Sequence, residues 1–427
     1  MRVLVVGGGG REHALALALS RDPSVTDVHA APGNPGIAEV ATLHAVDPCD
    51  GTAVAALARR LGVGLVVVGP EAPLVAGVAD AVREAGISCF GPSAEAARLE
   101  GSKAFAKQVM GAAGVPTAMA RVCTTAAQAA EALDAFGPPY VVKDDGLAAG
   151  KGVVVTGDRD EARAHAAGCR QVLVEEYLDG PEVSLFAVTD GTCVVPLQPA
   201  QDFKRALDGD AGPNTGGMGA YTPLPWAPRG LVQDVLDRVL QPTVDEMKRR
   251  GKPFVGLLYA GLALSARGVR VVEFNARFGD PETQPLLAML ESPLGVLLAA
   301  AAEGGLDQVA PLTWYDGAAV SVVLAADGYP GAVRTGDEIT GIDRATALEG
   351  VDVLQAGTAL DDAGRLVTAG GRILAVTGRG PTVGDARARA YAGVECISIA
   401  GARHRTDIAA AVGTVTPRTP LTGGTRR

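Results

Sequence analysis

The chain is 427 residues long, more than one ordinary domain holds and enough for two to four. With 48% hydrophobic residues, 4% aromatics and 56 glycines it has the composition of a globular α/β protein built from Ala, Val, Leu and turn glycine, which excludes a collagen-like or largely disordered chain. A formal charge of −10 argues against nucleic acid and anionic membranes as partners, so any anionic substrate must be held locally.

In chain order, residues 2–6 are a β-branched apolar run that meets four glycines, Gly7 to Gly10, and an Ala/Leu-periodic stretch from Arg11 to Ser20: strand, glycine turn, helix. A helical stretch over 52–61 feeds the buried run Leu65-Val66-Val67-Val68 and the turn Gly69-Pro70, so the first hundred residues read as a small parallel α/β domain. From about 117 to 195, closer-spaced alternating strands at 140–143, 152–155 and 172–175 indicate a mixed α+β lobe. Residues 201–226, rich in Gly and Pro and without periodicity, read as one long loop, and loops of that length in compact proteins are functional or disordered. A helix near 229–250 precedes strands at 259–265 and 269–274, joined by the hairpin signal Ala266-Arg267-Gly268. Beyond about 325, short strands and turns with one helix near 383–393 indicate a separate C-terminal domain. The chain opens straight into a strand without a signal-peptide pattern, and no apolar run reaches the roughly 18 residues of a membrane helix, so a cytoplasmic protein is expected. Six scattered cysteines, with no CxxC pair, are expected to be reduced thiols.

Three constellations carry chemistry. The Gly7–Gly10 turn opening onto a helix suits an anion, because backbone without Cβ atoms approaches closely and helix-end N–H groups point at it. A purely structural tight turn fits as well, and the acidic residue of a dinucleotide fold is absent, since Ala31-Pro32-Gly33-Asn34-Pro35-Gly36 offers an amide instead. In Val141-Val142-Lys143-Asp144-Asp145-Gly146-Leu147-Ala148-Ala149-Gly150-Lys151-Gly152-Val153, a strand pins a lysine ahead of a Gly/Ala loop that could close over nucleotide phosphates; alone, it equally suits a hairpin with an exposed lysine. Alternation places Glu273 and Asn275 on one strand face, with Val272 and Phe274 on the other. Two such oxygen ligands suit Mg²⁺, and Arg277 follows as a cation for developing negative charge, although an isolated E-x-N also suits a solvated edge strand. The coincidence of all these with the glycine-rich stretch 212–219 reads as a phosphoryl-transfer site.

These motifs, in this order, resemble the glycinamide ribonucleotide synthetase family of the ATP-grasp superfamily. The resemblance runs through Gly7-Gly8-Gly9-Gly10-Arg11-Glu12-His13-Ala14, Val68-Gly69-Pro70-Glu71-Ala72-Pro73-Leu74, Leu99-Glu100-Gly101-Ser102-Lys103, the Lys143 flap, the stretches 212–221 and 273–284, and His404-Arg405-Thr406-Asp407-Ile408. It implies an α/β and α+β multidomain chain: an N-terminal parallel α/β domain over 1–101, a central ATP-grasp fold over 102–325 with a mobile lobe at about 117–190, and a C-terminal β-rich domain over 326–427. The implied activity forms glycinamide ribonucleotide from 5-phosphoribosylamine, glycine and ATP through glycyl phosphate, with Mg²⁺ or Mn²⁺, in a monomer or weak dimer without nucleic-acid or membrane partners. By the same resemblance Lys103 and Lys143 contact the phosphates, and the flap with Gly146, Gly150, Lys151 and Gly152 covers them. Glu175, Leu178 and Glu182 hold adenine and ribose, and Glu273 and Asn275 bind the metal. Arg277, Lys143 and Asp202 are the expected catalytic side chains. Gly8, Gly9, Gly10, Arg11, Asn34, Pro70 and Glu71 are expected at the phosphoribosyl group, with Asn214, Gly217, Gly219 and Arg277 lining the substrate site.

Departures from the family pattern fall at three places. Asp144 stands where the flap ordinarily has alanine, Phe203 stands where histidine is usual, and 257–263 lacks a second carboxylate before the metal-binding strand. The competing readings are another carboxylate–amine ATP-grasp ligase and a dinucleotide-binding oxidoreductase that uses the first glycine turn.

Overall fold

A computed structural model of the chain describes residues 1–146 and 152–413. The N-terminal sheet is parallel and comprises β1 (Arg2–Gly7), β2 (Asp27–Pro32), β3 (Thr42–Leu43), β4 (Leu65–Val68) and β5 (Ser88–Phe90) in the order β3-β2-β1-β4-β5. Helical crossovers cover both faces, which is why Val3 to Val6 are all fully buried, with Leu4 and Val6 in one core and Val3 and Val5 in another. The strand order reverses between β1 and β4, the place where open α/β sheets leave a crevice at the carboxyl ends of their strands. The glycine turn into α1 (Gly10–Ser20) and the Gly69-Pro70-Glu71 turn both lie there.

Ser102 starts the next helix, Lys103–Ala113, as its cap: the Oγ accepts from Phe105 N at 3.1 Å. The lobe that follows is an antiparallel sheet of β6 (Ala120–Cys123), β7 (Tyr140–Asp144), β8 (Val153–Thr156) and β9 (Val172–Glu175), ordered β6-β9-β7-β8. Two helices, Ala126–Phe136 and Arg159–Ala167, close over it around a small core of its own that includes Leu133, Val142 and Val174.

Four further strands, β10 (Glu182–Asp190), β11 (Val194–Pro196), β12 (Gln201–Asp202) and β13 (Arg205–Leu207), lead into β14 (Ala211–Asn214) and β15 (Gly219–Thr222). The expected long loop over 201–226 is thus largely strand. Its periodicity is hidden because β13 and β14 form a two-stranded pair of their own, while β12 pairs with β15 and β15 with a strand about a hundred residues further on. The central sheet is β11-β10-β16-β17, closed by the hairpin of β16 (Val255–Ser265) and β17 (Gly268–Asn275).

The third sheet runs β12-β15-β18, with β18 at Ala318–Ala325, then the strands Arg372–Gly380 and Val351–Gln355, with the helix Val383–Cys396 packed against it. The division expected at 325 therefore falls at the end of a strand in the middle of a continuous sheet. No helix among the described residues is long and apolar enough to cross a membrane.

Candidate active site

The first half of the site is built on β17. A bulge opposite Gly261/Leu262 leaves Val272 as the extra residue, so Val271 and Phe274, not Val272, take the buried positions. The bulge frees the Val272 carbonyl from the ladder, and Lys143 Nζ donates to it at 3.0 Å, joining the lobe to the central sheet. Gly261 lies across from Glu273, where a Cβ would stand 3.2 Å from Glu273 Cγ. Burial alone would raise the Glu273 carboxyl, but Lys204, Lys143, Lys103 and Arg277 outweigh it and hold the group below the usual carboxylate range. Burial and the neighbouring Lys143 lower the Lys103 ammonium against the pull of Glu273. The two expected lysines and the expected metal-binding glutamate thus share one field, with Asn275 half-buried two residues along the same strand.

Not every expected ATP contact is free for ATP. Lys103 Nζ donates to the carbonyls of Asp144 and Gly146, both at 2.8 Å, at the entry to the flap. Glu175, fully inside on β9, accepts from Lys143 at 2.8 Å and from Lys107 at 2.9 Å, so it stands as a bridge between two lysines. Lys107 also reaches Thr117 Oγ1 and the Ala118 carbonyl, both at 2.9 Å. Leu178 is half-buried in the connection between β9 and β10. Gly150 and Lys151 lie outside the described residues, while Gly152 O accepts from Asp144 N at 2.7 Å. The Asp144 carboxylate adds to the field at Lys103, and burial together with Asp144 raises the Cys169 thiol.

Lys204, which sequence reasoning passed over, completes the cluster. Its ammonium lies 2.6 Å from Glu182 Oε2, and although burial opposes it, Asp202, Glu182, Tyr259 and Glu273 raise it well above the usual lysine value. Asp202 on β12 is pushed up to about 7: burial is the main cause, opposed by Lys204 and reinforced by Glu282, Glu182 and Glu273. Glu282 is itself buried and accepts from Ser184 Oγ at 2.9 Å. Asp202 and Lys204 at i and i+2 were a readable signal, but only once that stretch is known to be extended.

The second half of the site centres on Arg277. Its Nε lies 3.2 Å from Glu71, its Nη2 3.1 Å from Glu100, and its Nη1 donates to Phe278 O at 3.2 Å. Burial disfavours its charge, yet Glu100 and Glu71 raise the guanidinium beyond its usual value. Glu100 is raised by burial and by Glu71, and also accepts from Ala276 N at 2.7 Å. The more open Glu71 is lowered: burial opposes its charge, but Arg277 and Arg11 prevail.

At the glycine turn, Glu12 is the occupant. One of its carboxylate oxygens accepts from Gly9 N at 2.6 Å and the other from Arg11 Nε at 2.5 Å, while Arg11 Nη1 reaches Phe278 O at 3.1 Å. A Cβ on Gly7 or Gly69 would collide with the Glu12 side chain, and one on Gly8 would stand 2.5 Å from Gly33 O. The turn is glycine-rich largely to admit Glu12, and the N–H that a dinucleotide pyrophosphate would need at Gly9 is already taken. Asn34 Nδ2 donates to the Gly8 and Gln355 carbonyls at 2.9 and 2.8 Å, tying the turn to the third sheet.

The remaining expected residues are dispersed. Asn214 is exposed at the end of β14. Gly217 has φ +112° and no room for a Cβ beside Pro281, and a Cβ at Gly219 would press on Ser321 O. Pro70 caps the short helix that begins with Glu71. Among the described residues no group of three or more His, Cys, Asp or Glu side chains could hold a metal alone. An ionised glutamate and an amide on one strand still suit a hard cation that completes its shell with water and phosphate.

Comparison with known proteins agrees with this anatomy. The phosphoribosylglycinamide synthetase family models match in succession: the N domain over 1–100, the ATP-grasp (A) domain over 101–283 and the C domain over 319–411. A phosphoribosylamine–glycine ligase of Streptomyces coelicolor is 68% identical over 413 residues, spanning 96% of this chain and 99% of that one. The crystal structure of phosphoribosylamine–glycine ligase from Thermotoga maritima superposes with a TM-score of 0.83 at 34% identity, covering 96% of this chain and all of that one. A biotin carboxylase domain of Hydrogenobacter thermophilus 2-oxoglutarate carboxylase, solved with MgADP and bicarbonate, shares the fold at a TM-score of 0.71 and 18% identity over 94% of this chain and 91% of that one.

Proposed function

The chain belongs to the phosphoribosylglycinamide synthetase family, and from that premise we infer that it is an ATP-dependent phosphoribosylamine–glycine ligase of purine biosynthesis. A glycine carboxylate oxygen takes the γ-phosphoryl group of ATP, giving glycyl phosphate and ADP. The amine of 5-phosphoribosylamine then attacks the carbonyl, phosphate leaves, and the amine sheds a proton as glycinamide ribonucleotide forms.

The observation that carries this reading is that Lys143 Nζ is seated on the Val272 carbonyl beside Glu273, whose carboxylate lies in the field of Lys103, Lys143, Lys204 and Arg277. Three ammonium groups suit a triphosphate whose charge shifts during transfer. Glu273 and Asn275 would hold a magnesium or manganese ion, which when bound neutralises phosphate charge. Arg277, fixed between Glu71 and Glu100, orients the glycine carboxylate, and Asp202 with Glu182 holds the Lys204 ammonium. The connection around Leu178 borders the adenine, with Glu175 acting at one remove through Lys143. The phosphoribosyl group is assigned to the crevice between the glycine turn and Glu71, with Arg11 at its edge and the 214–219 stretch opposite. In this reading 1–101, 102–325 and 326–427 serve as functional units, although the third sheet borrows β12 and β15 from the second, and the lobe near 117–190 closes over the acyl phosphate to exclude water.

The test is ADP release from ATP by the purified chain, with glycine and phosphoribosylamine supplied together or singly. Turnover that needs glycine and yields glycinamide ribonucleotide is expected; turnover indifferent to glycine would overturn the assignment.

A further inference from the structure

The chain on both sides of Lys204 is gripped from the far end of the sequence. Arg405 is 1% exposed, and its guanidinium stacks 4.9 Å from the centre of the Phe203 ring. It donates to Arg205 O at 3.2 Å, to Asp210 Oδ1 at 2.7 Å, and to both carboxylate oxygens of Asp407, each at 2.7 Å. Asp208 accepts from Thr406 N and Oγ1 at 2.8 and 2.5 Å, and Gly209 N donates to Asp407 Oδ2 at 2.8 Å. The gripping segment is itself anchored to the helix Val383–Cys396, where Tyr391 OH donates to Arg405 O at 2.7 Å and Arg387 donates to Ile408 O at 2.9 Å.

Burying a guanidinium is costly unless its donors are used, and here Asp407 takes two of the bonds while Nη1 spends its own on the stretch around Lys204. Two of its contacts, the Phe203 ring and the Arg205 carbonyl, belong to the immediate neighbours of Lys204. Phe203, which departs from the family pattern, supplies the flat face on which the guanidinium rests. Building on the ligase reading above, we propose that Arg405 is a positioning residue for phosphoryl transfer. It fixes the backbone on either side of Lys204, and so sets where that ammonium sits beside Glu182.

A double-mutant cycle on ADP release by the full chain tests this, with wild type, Arg405→Met, Lys204→Met and the double variant. If Arg405 acts through Lys204, Arg405→Met lowers kcat by roughly tenfold or more with KM for ATP changed less than about threefold, and the double variant is no slower than Lys204→Met alone. Losses that multiply, or an unchanged kcat in Arg405→Met, overturn the proposal. Should Arg405→Met not fold, Asp210→Asn serves at the outer end of the clamp, where the carboxylate is 70% exposed. It is expected to lower kcat by about two- to fivefold in the wild-type background and not at all beside Lys204→Met, whereas equal losses in both backgrounds count against the clamp. Coupling is read with whichever acid supports turnover, so failure of glycine to stimulate the wild type tells against the substrate assignment alone.

Discussion

Three lysines and an arginine act at once on the Glu273 carboxylate, and its replacement is the cleanest probe of the site. Glu273→Gln keeps the shape and removes the charge, so kcat is expected to fall by about 10²–10³-fold with the thermal midpoint within a few degrees of wild type. Unchanged turnover would remove the central support of the ligase reading. Lys143→Met is a less selective probe, since it also strips Glu175 of one of its two cations and leaves Val272 O without its donor. His13 makes a second residue-scale prediction. It is buried, its Nδ1 accepts from Gln355 N at 2.8 Å, and desolvation pushes its pKa from 6.5 down to about 4. The unfolded chain therefore takes up this proton first. Stability is undiminished above about pH 6.5 and falls as the pH drops towards 4, by at most about 3 kcal/mol from this group. Comparing urea midpoints at pH 7.5 and 5 should show a larger drop in wild type than in His13→Gln; equal drops would mean that His13 is not the group responsible.

Among the elements, the glycine turns are specified by what lies under them. A Cβ at Gly69 would stand 2.1 Å from Glu12 Oε1, so Gly69→Ala should displace the side chain that accepts from Gly9 N and holds Arg11, which in turn donates to Phe278 O. A loss of about 1–3 kcal/mol is expected in thermal or denaturant unfolding, and an unaltered midpoint would show that Glu12 has room to move. Glycine turn, helix and strand were readable at this end because their periodicity is local, and the same holds for the β16/β17 hairpin and for the shared face of Glu273 and Asn275. Glu12 was not readable as the occupant of the turn, because its partner Gly69 comes from another crossover. Val272 was placed on the wrong face because a bulge adds one residue to a strict alternation, and nothing in Val-Val-Glu-Phe-Asn announces it. The β12 and β15 strands escaped notice because β15, the partner of β12, is itself held by β18, distant in sequence, and with them escaped the extended stretch that carries Asp202 and Lys204.

At the scale of the whole molecule, exposed and buried ties between the units differ in weight. Arg21 meets Asp352 at 2.8 Å on an open surface, a pair whose removal should change stability by about 1 kcal/mol or less. The pairing of β15 with β18 is of another kind, because it places the 203–216 stretch. A chain ending at residue 316 is expected to lose both ADP release and any rise in melting temperature on adding ATP with magnesium, although Glu273, Lys103 and Lys143 are all retained. A normal nucleotide-induced shift in that fragment would show that the third sheet is dispensable to the nucleotide site.

The interleaving of β12 and β15 with β18 also bears on how this protein can be recombined with its relatives. A hybrid joined at the apparent seam near 317 would take β18 and Arg405 from one parent, and β12, β15, Phe203 and Lys204 from the other. Such grafts should tolerate exchange only where both parents agree at these contacts, so the inheritable block for the last third of the chain begins near residue 200 and skips over the β16/β17 hairpin.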